Sequence, residues 1–524
     1  MDKDKQSKAK QRTVHGMEIQ QLETAIRARY PIIAINSDEE QRVLRILSEI
    51  AAQQNKALYS WSVIDGFQTV TEAGTCDGGG DMDGDPIGAL TTLKSRTDGE
   101  GRAIYVFKDL HAFLSDPMLL RALRNAAREL VVGRKTLVLL SPVIKLPRDL
   151  EKEVLALDFP LPGRDELLAL IDEVAEGARA NDLPVSLNGD TETLVNALAG
   201  LTEDEVRRVM RLSLLTTREF GASSVPIVLK EKKQIIEKSG VLEYYDAKAT
   251  AHDIGGLDLL KQYVDERRGA FTQEARDFSL DTPRGILMVG PPGTGKSLMA
   301  KVVAGGKMPL LRLDMGALMG SLVGESEANL RKVFAVCRAI GNAVLWIDEI
   351  EKAMSGMDGA STDGGTSQRM LASLLTWMQE QSGIYIVATA NNVQALRPEV
   401  IRRFDDLFFV DLPDEDNRRA ILAIHLAKRN RTVTGYDLQR VAALTEGFSG
   451  AELEKVVVKA LYAAWGDEKR ELTTDDLVAA AQNVVPVSKT MDRELAALRE
   501  WAKTRALPAA TMRAKEQAPA DIEL

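Results

Sequence analysis

Short apolar runs separated by helix-patterned stretches recur in both halves of the chain, and that alternation predicts parallel strands joined by helices. In the second half the runs are residues 286–289, 343–347 and 384–388. Each is too short for a helix and continuously apolar, as a strand covered on both faces must be. Between them Leu330, Val333, Phe334 and Cys337 recur at helical spacing, which places that face, and its cysteine, in the core. In the first half, residues 31–36, 58–63, 104–109 and 136–141 read as strands of the same kind. No apolar run reaches the roughly 18 residues of a membrane span, and no charged-then-apolar leader opens the chain.

The chemistry sits at the ends of the strands in the second half. After the first comes Gly290-Pro291-Pro292-Gly293-Thr294-Gly295-Lys296-Ser297, the spacing of a phosphate-binding loop between a strand and a helix. Its glycines let backbone N–H groups close around phosphate, and the helix opening near Lys296 adds its positive end. Lys296 would reach the β- and γ-phosphates of ATP, with Leu298 just behind, and Ser297 would bind Mg²⁺. The second strand delivers Asp348 and Glu349: the first suits the Mg²⁺ shell, the second suits polarising an attacking water. The third ends at Asn391, an amide placed to orient that water or, on the plainer reading, to close a turn.

On these motifs residues 251–465 resemble the ATPase module of the AAA family. The resemblance implies a P-loop α/β module, a parallel sheet flanked by helices, with a helical lid. It also implies Mg²⁺-dependent ATP hydrolysis in a hexameric ring of like subunits. Asp253, Ile254 and Gly255 match the family's loop over the adenine, His425 a position near base and ribose, and Gly450 and Ala451 the lid's approach to the nucleotide. Arg402 and Arg403 match arginine fingers that reach the neighbouring subunit's site. They are adjacent here, without the family's spacer, and Arg403 is the first candidate. Leu322 and Val323 fall where the family carries its pore loop, with leucine in the aromatic's place. Longer phrases, such as residues 344–353 and 375–380, are similar to the Ycf-type AAA proteins of plastids, cyanobacteria and other bacteria. That likeness spans nearly the whole chain and implies a cytoplasmic protein, or a stromal one where the gene is plastid-borne.

The first half departs from this chemistry. No phosphate-loop spacing follows its first strand, and Lys108 stands where the first acid belongs, where it would repel Mg²⁺. Residues 200–205 resemble the lid-helix start at 447–452. The expectation is a degenerate AAA-like α/β domain that keeps the fold without nucleotide; the alternative is an unrelated α/β domain. The predicted organisation is a tail over 1–17, the degenerate domain over 18–245, the large ATPase subdomain over 246–412, the lid over 413–485, and a C-terminal helix and tail over 486–524, frayed from about Ala506.

Composition adds exclusions. A formal charge of −10 over 524 residues argues against broad binding to nucleic acid or anionic membrane. Two cysteines suit a reducing compartment, and four scattered histidines without H-E-x-x-H exclude a fused zinc protease. The carboxylates of 77–85 read as an acidic loop and lack the terminal glutamate of a Ca²⁺ loop. The glycine- and serine-rich stretch 355–367 reads as a second loop toward a pore or a plain surface loop. Two functions remain open: a ring motor that remodels a protein partner, and a nucleotide-switched scaffold with slow turnover.

Overall fold

The computed structural model describes residues 15–511 except 72–73, 75, 78–83, 96–101, 145, 188–190, 239, 246–249, 272, 306–307, 321–324, 355–363 and 382. The chain divides into two compact units, Met1–Leu229 and Lys230–Leu524.

In the first unit a sheet of seven strands runs in the spatial order Cys76–Asp77, Gly66–Val70, Ala57–Ser62, Ala103–Lys108, Thr136–Ser141, Ile32–Asn36, Val154–Asp158. The last five are parallel, and the first two turn back as an antiparallel edge. Successive side chains feed opposite layers, which is why these runs are apolar throughout. Ile32 and Ala34 pack with helices Pro86–Ser95 and Pro117–Val132. Ile33 and Ile35 pack with helix Glu40–Gln53. Helices Arg164–Ala180, Thr191–Leu198 and Glu203–Thr217 follow.

The second unit repeats the plan. Its sheet runs Leu242–Tyr245, Leu310–Leu313, Ala343–Ile347, Ile384–Ala390, Gly285–Val289, Asp406–Phe409, Leu507–Pro508, parallel except for the first strand. Helices Glu415–Ala427, Leu438–Leu444, Gly450–Gly466 and Thr474–Gln482 form a lid with its own core around Leu422, Val456 and Leu477. Leu330, Val333, Phe334 and Cys337 are buried in helix Glu325–Ile340, and burial pushes the Cys337 thiol up to about 12.

The two units share details that apolar pattern alone does not dictate. Numbering the parallel strands of each sheet in chain order, the first sheet reads 2-3-4-1-5, and the second reads the same with Leu507–Pro508 added as a sixth. The third strand of each ends in a left-handed acid, Asp109 (φ 54°) and Glu349 (φ 52°), that starts a short 3₁₀ turn. Each lid-type helix begins with a capping box, Thr202 with Glu205 and Ser449 with Glu452. A left-handed glycine stands just before each box, Gly200 at φ 89° and Gly447 at φ 78°.

The frayed tail expected from Ala506 is corrected for 506–511. Leu507–Pro508 adds to the sheet beside Phe408 and Phe409, Ala509 is buried, and Thr511 bonds Asp258. Apolar residues at an open sheet edge find a partner there that the sequence does not advertise. Of the loop expected over 355–367, residues 355–363 lie outside the described residues, and the rest opens helix Gly364–Glu380. Leu322 and Val323 also lie outside them. Of the acidic loop 77–85, Asp77 belongs to an edge strand, Asp85 caps helix Pro86–Ser95, and 78–83 are outside. Among the described residues no group of three or more His, Cys, Asp or Glu could hold a metal, and no helix is long and apolar enough to cross a membrane.

Candidate nucleotide site

Parallel strands carry whatever follows them to one edge of the sheet, so the loop after Val289, the acids after Ile347 and the amide after Ala390 converge. The loop itself is shaped by two close approaches. A Cβ at Gly290 would meet the Val410 carbonyl at 2.1 Å, so that glycine is required by the neighbouring strand. Gly293, at φ 79°, packs on the lid: a Cβ there would meet the Ala451 Cβ at 2.9 Å. Ala451 N–H donates back to the Gly293 carbonyl at 3.1 Å. Helix Lys296–Ala304 starts from the loop and points its N-terminal end across it.

Lys296 is buried, and its Nζ donates to the carbonyls of Gly290 and Pro291, each at 2.8 Å. Burial pulls its ammonium down to about 8, against an opposing pull from Glu351, Asp348 and Glu349. Ser297 Oγ lies 3.3 Å from Asp348 Oδ1, which also accepts from Thr389 Oγ1 at 2.6 Å. Glu349 is held twice: Asn391 Nδ2 donates to Oε1 at 3.0 Å, and Lys352 pairs with Oε2. Its amide donates to Thr389 Oγ1 at 3.1 Å.

A cavity of about 370 Å³ gathers these groups. Asp253, Ile254, Gly255, Pro292, Gly293, Thr294, Gly295, Lys296, Ser297, Leu298, Asp348, Glu349, Asn391, His425, Gly450 and Ala451 all line it. Asp253 Oδ2 accepts from the Thr250 amide at 2.8 Å, and Oδ1 lies 3.4 Å from Lys428 Nζ. His425 Nδ1 is buried without a hydrogen-bond partner, and burial lowers the ring's pKa, favouring the neutral form.

Thr389, Ile421, Ile424 and Glu454 also line the cavity and received no role from the sequence. Thr389 had a detectable signal: a hydroxyl in an otherwise apolar strand, one step beyond the pairing of Ile347 with Ala388. The two isoleucines had none, because their face of helix Glu415–Ala427 is defined by the lid's packing.

Arg402 and Arg403 do not line the cavity. Arg403 Nη1 donates to Gln379 Oε1 at 2.6 Å, whereas Arg402 is exposed and has no side-chain partner among the described residues.

The donor set suits a polyphosphate with a hard cation. A lysine and a helix N-terminus answer the negative charge, and the Ser297 hydroxyl beside the Asp348 carboxylate gives oxygen ligands of the kind Mg²⁺ takes. His425 also lines the cavity, with its Nδ1 3.7 Å from Glu454 Oε1.

Family models match along the chain: the SpoVK-like AAA ATPase N-terminal domain over 18–159 and second domain over 165–239, the ATPase family associated with various cellular activities (AAA) over 286–412, and the AAA+ lid domain over 435–479. A Trieres chinensis protein named as an uncharacterized AAA domain-containing protein, ycf46, is 37% identical over 91% of this chain and 95% of its own length. Its Pyropia yezoensis namesake is 35% identical over 92% and 97%. A proteasome-activating nucleotidase of Aeropyrum pernix is 30% identical over 64% of this chain and 85% of that protein. The chain belongs to the AAA ATPase family, in the group of its ycf46 relatives.

Proposed function

We propose that the protein hydrolyses ATP at this site, in a ring whose neighbouring subunits share it, and uses the cycle to remodel a protein partner. The convergence of Lys296, Ser297, Asp348, Glu349 and Asn391 on one cavity carries this reading. Lys296 exchanges the loop carbonyls for the β- and γ-phosphates. Mg²⁺ held by Ser297 and the shell of Asp348 would neutralise charge on the transferred phosphoryl group. Asn391 fixes one oxygen of Glu349, and the exposed ion pair to Lys352 opens cheaply so that the other can take a proton from the attacking water. Arg402 and Arg403 answer transition-state charge in the adjacent subunit. The likeness to a protein named as a proteasome-activating nucleotidase supports remodelling as the output. Both cysteines are free, which fits a reducing compartment such as the cytoplasm.

The N-terminal unit reads as a second copy of the module that works without nucleotide. Where the second unit has its loop and lysine, this one has ionic contacts. Arg42 Nη1 donates to Glu39 at 2.7 Å and to the Pro160 carbonyl at 2.5 Å. Its Nε and Nη2 donate to Glu166 at 3.0 and 2.8 Å. Glu39 Oε1 accepts the amide of Glu203, the first residue of the lid-type helix, at 2.6 Å, and Arg45 grips both Glu203 oxygens. A fixed carboxylate thus meets that helix start.

The specific ATPase rate, followed against protein concentration with mass in solution, tests the shared site. It should climb as rings form, then fall about 10³-fold or more when the acting arginine is removed. Arg402→Ala and Arg403→Ala need separate measurement, because Arg403 is tied to Gln379 within its own chain. A flat rate indifferent to both would favour the scaffold reading.

Nucleotide binding should also take up a proton at alkaline pH. Lys296 titrates at about 8 in the free site, and phosphate favours its charged form. Uptake should therefore be small at pH 7 and rise toward one proton above pH 8, with affinity falling over the same range. Calorimetry in buffers of different ionisation enthalpy measures it; zero uptake at pH 9 would show that Lys296 is already charged in the free site.

A further inference from the structure

One guanidinium is shared between the carboxylate beside Ser297 and the first strand of the ATPase unit. That strand, Leu242–Tyr245, lies antiparallel to Leu310–Leu313 with Glu243 opposite Arg312. Arg312 is level with Trp346 on the next strand, and its guanidinium carbon stands 5.2 Å from the indole ring centre. From there it reaches two ways. Nη1 donates to the Glu243 oxygens at 3.3 and 3.2 Å, and Nη2 lies 3.6 Å from Asp348 Oδ2. The opposite oxygen, Oδ1, is the one that faces Ser297 and Thr389. Tyr245 Oη donates to Glu243 Oε2 at 2.8 Å and so steadies the far end of the relay.

We propose that Arg312 is a positioning residue for Asp348, and that Glu243, by competing for the same guanidinium, makes the placement of the first strand an input to the Mg²⁺ requirement of the site. The inference rests on the Mg²⁺–nucleotide reading above. The sign follows from charge. Glu243, Arg312 and Asp348 together carry one net negative charge beside the cation position. Neutralising Glu243 leaves the guanidinium to Asp348 alone and opposes an incoming dication. Removing Arg312 leaves two uncompensated carboxylates and favours the dication, while freeing Asp348 to swing. Only a planar fork can serve both acids at once, so lysine is not an equivalent.

The test is calorimetric titration of ADP into the full-length protein over a range of Mg²⁺ concentrations, with ATPase rate alongside. Glu243→Gln should raise the Mg²⁺ needed for half-maximal ADP affinity by about two- to fivefold, and Arg312→Met should lower it by a similar factor, the scale of a partly exposed charge contact. In Arg312→Met kcat should fall although Mg²⁺ binds more tightly. Arg312→Lys should restore the Mg²⁺ requirement and leave kcat low. The deciding result is the double variant: with Arg312 already Met, Glu243→Gln should raise the requirement by less than it does in the wild type, because only its through-space charge remains. Equal shifts from Glu243→Gln with and without Arg312, or an unchanged Mg²⁺ requirement in both single variants, would overturn the relay. ADP affinity that ignores Mg²⁺ in the wild type and survives Lys296→Ala would instead overturn the site reading beneath it.

Discussion

Glu349→Gln should bind ATP with near-normal affinity and hydrolyse it about 10²–10⁴-fold more slowly, the range set by loss of a general base. The substitution removes a charge and little else. The amide oxygen can still accept from Asn391 Nδ2, and the lost pair to Lys352 is exposed on both sides. Binding groups stay in place, because Lys296, Ser297 and Asp348 are held by contacts that do not involve the Glu349 carboxylate. Steady-state hydrolysis measured beside equilibrium affinity checks this. Rapid turnover in the variant would remove Glu349 from its role, and lost affinity would show that the carboxylate shapes the binding site. An assembled ring that persists with ATP would further tie assembly to the unhydrolysed nucleotide.

Arg42→Met should destabilise the N-terminal unit by about 3–5 kcal/mol at neutral pH, the cost of leaving buried carboxylates without their cation. Arg42 and Glu39 are almost fully buried, so solvent does little to replace the lost partner. Burial already holds the Glu39 carboxyl above its ordinary range, with Arg42 pulling the other way. The pH dependence follows: a carboxyl with a raised folded-state pKa contributes most below its unfolded value, and that contribution is lost as pH rises through the folded one. The defect of Arg42→Met should therefore shrink as pH falls toward 4.5 and widen above it. Adding Glu39→Gln should recover part of the loss by removing the stranded charge. Hydrogen exchange localises the effect: amides of helix Glu203–Thr217 should open earlier while those of Gly285–Val289 keep their protection. Unchanged exchange in the helix would mean that the contact between Glu39 and its first amide does not hold the lid of this unit.

The motif at 290–297 needs no tertiary knowledge, because strand, loop and helix are consecutive and the loop's conformation is set within eight residues. The acids after 347 and the amide after 390 are readable for a related reason: parallel strands deliver their C-terminal ends to one edge, and apolar runs mark where those ends fall. Thr389 bonds Asp348 only because register sets one strand against another, across 41 residues of chain. Arg403 looked the better finger from its place in the motif. Its bond to Gln379 depends on where helix Gly364–Glu380 passes, which no local pattern states.

The repeated half shows the same division. Alternating apolar and polar stretches mark this half as α/β from sequence, and the missing phosphate loop and Lys108 in place of an acid carry the expectation that it works without nucleotide. The common strand order and the left-handed acids at 109 and 349 emerge only when the chain is folded. So does the meeting of Arg42, Glu39, Glu166 and Glu203, which are scattered over more than 160 residues of chain. Sequence determined the central parallel strands and the chemical groups carried by contiguous stretches, because local sterics and periodicity act over a few residues, whereas edge strands such as Leu507–Pro508 did not show in it. Tertiary structure alone decided which distant charges share a site, because strand register and helix docking are set by burial summed over the whole core.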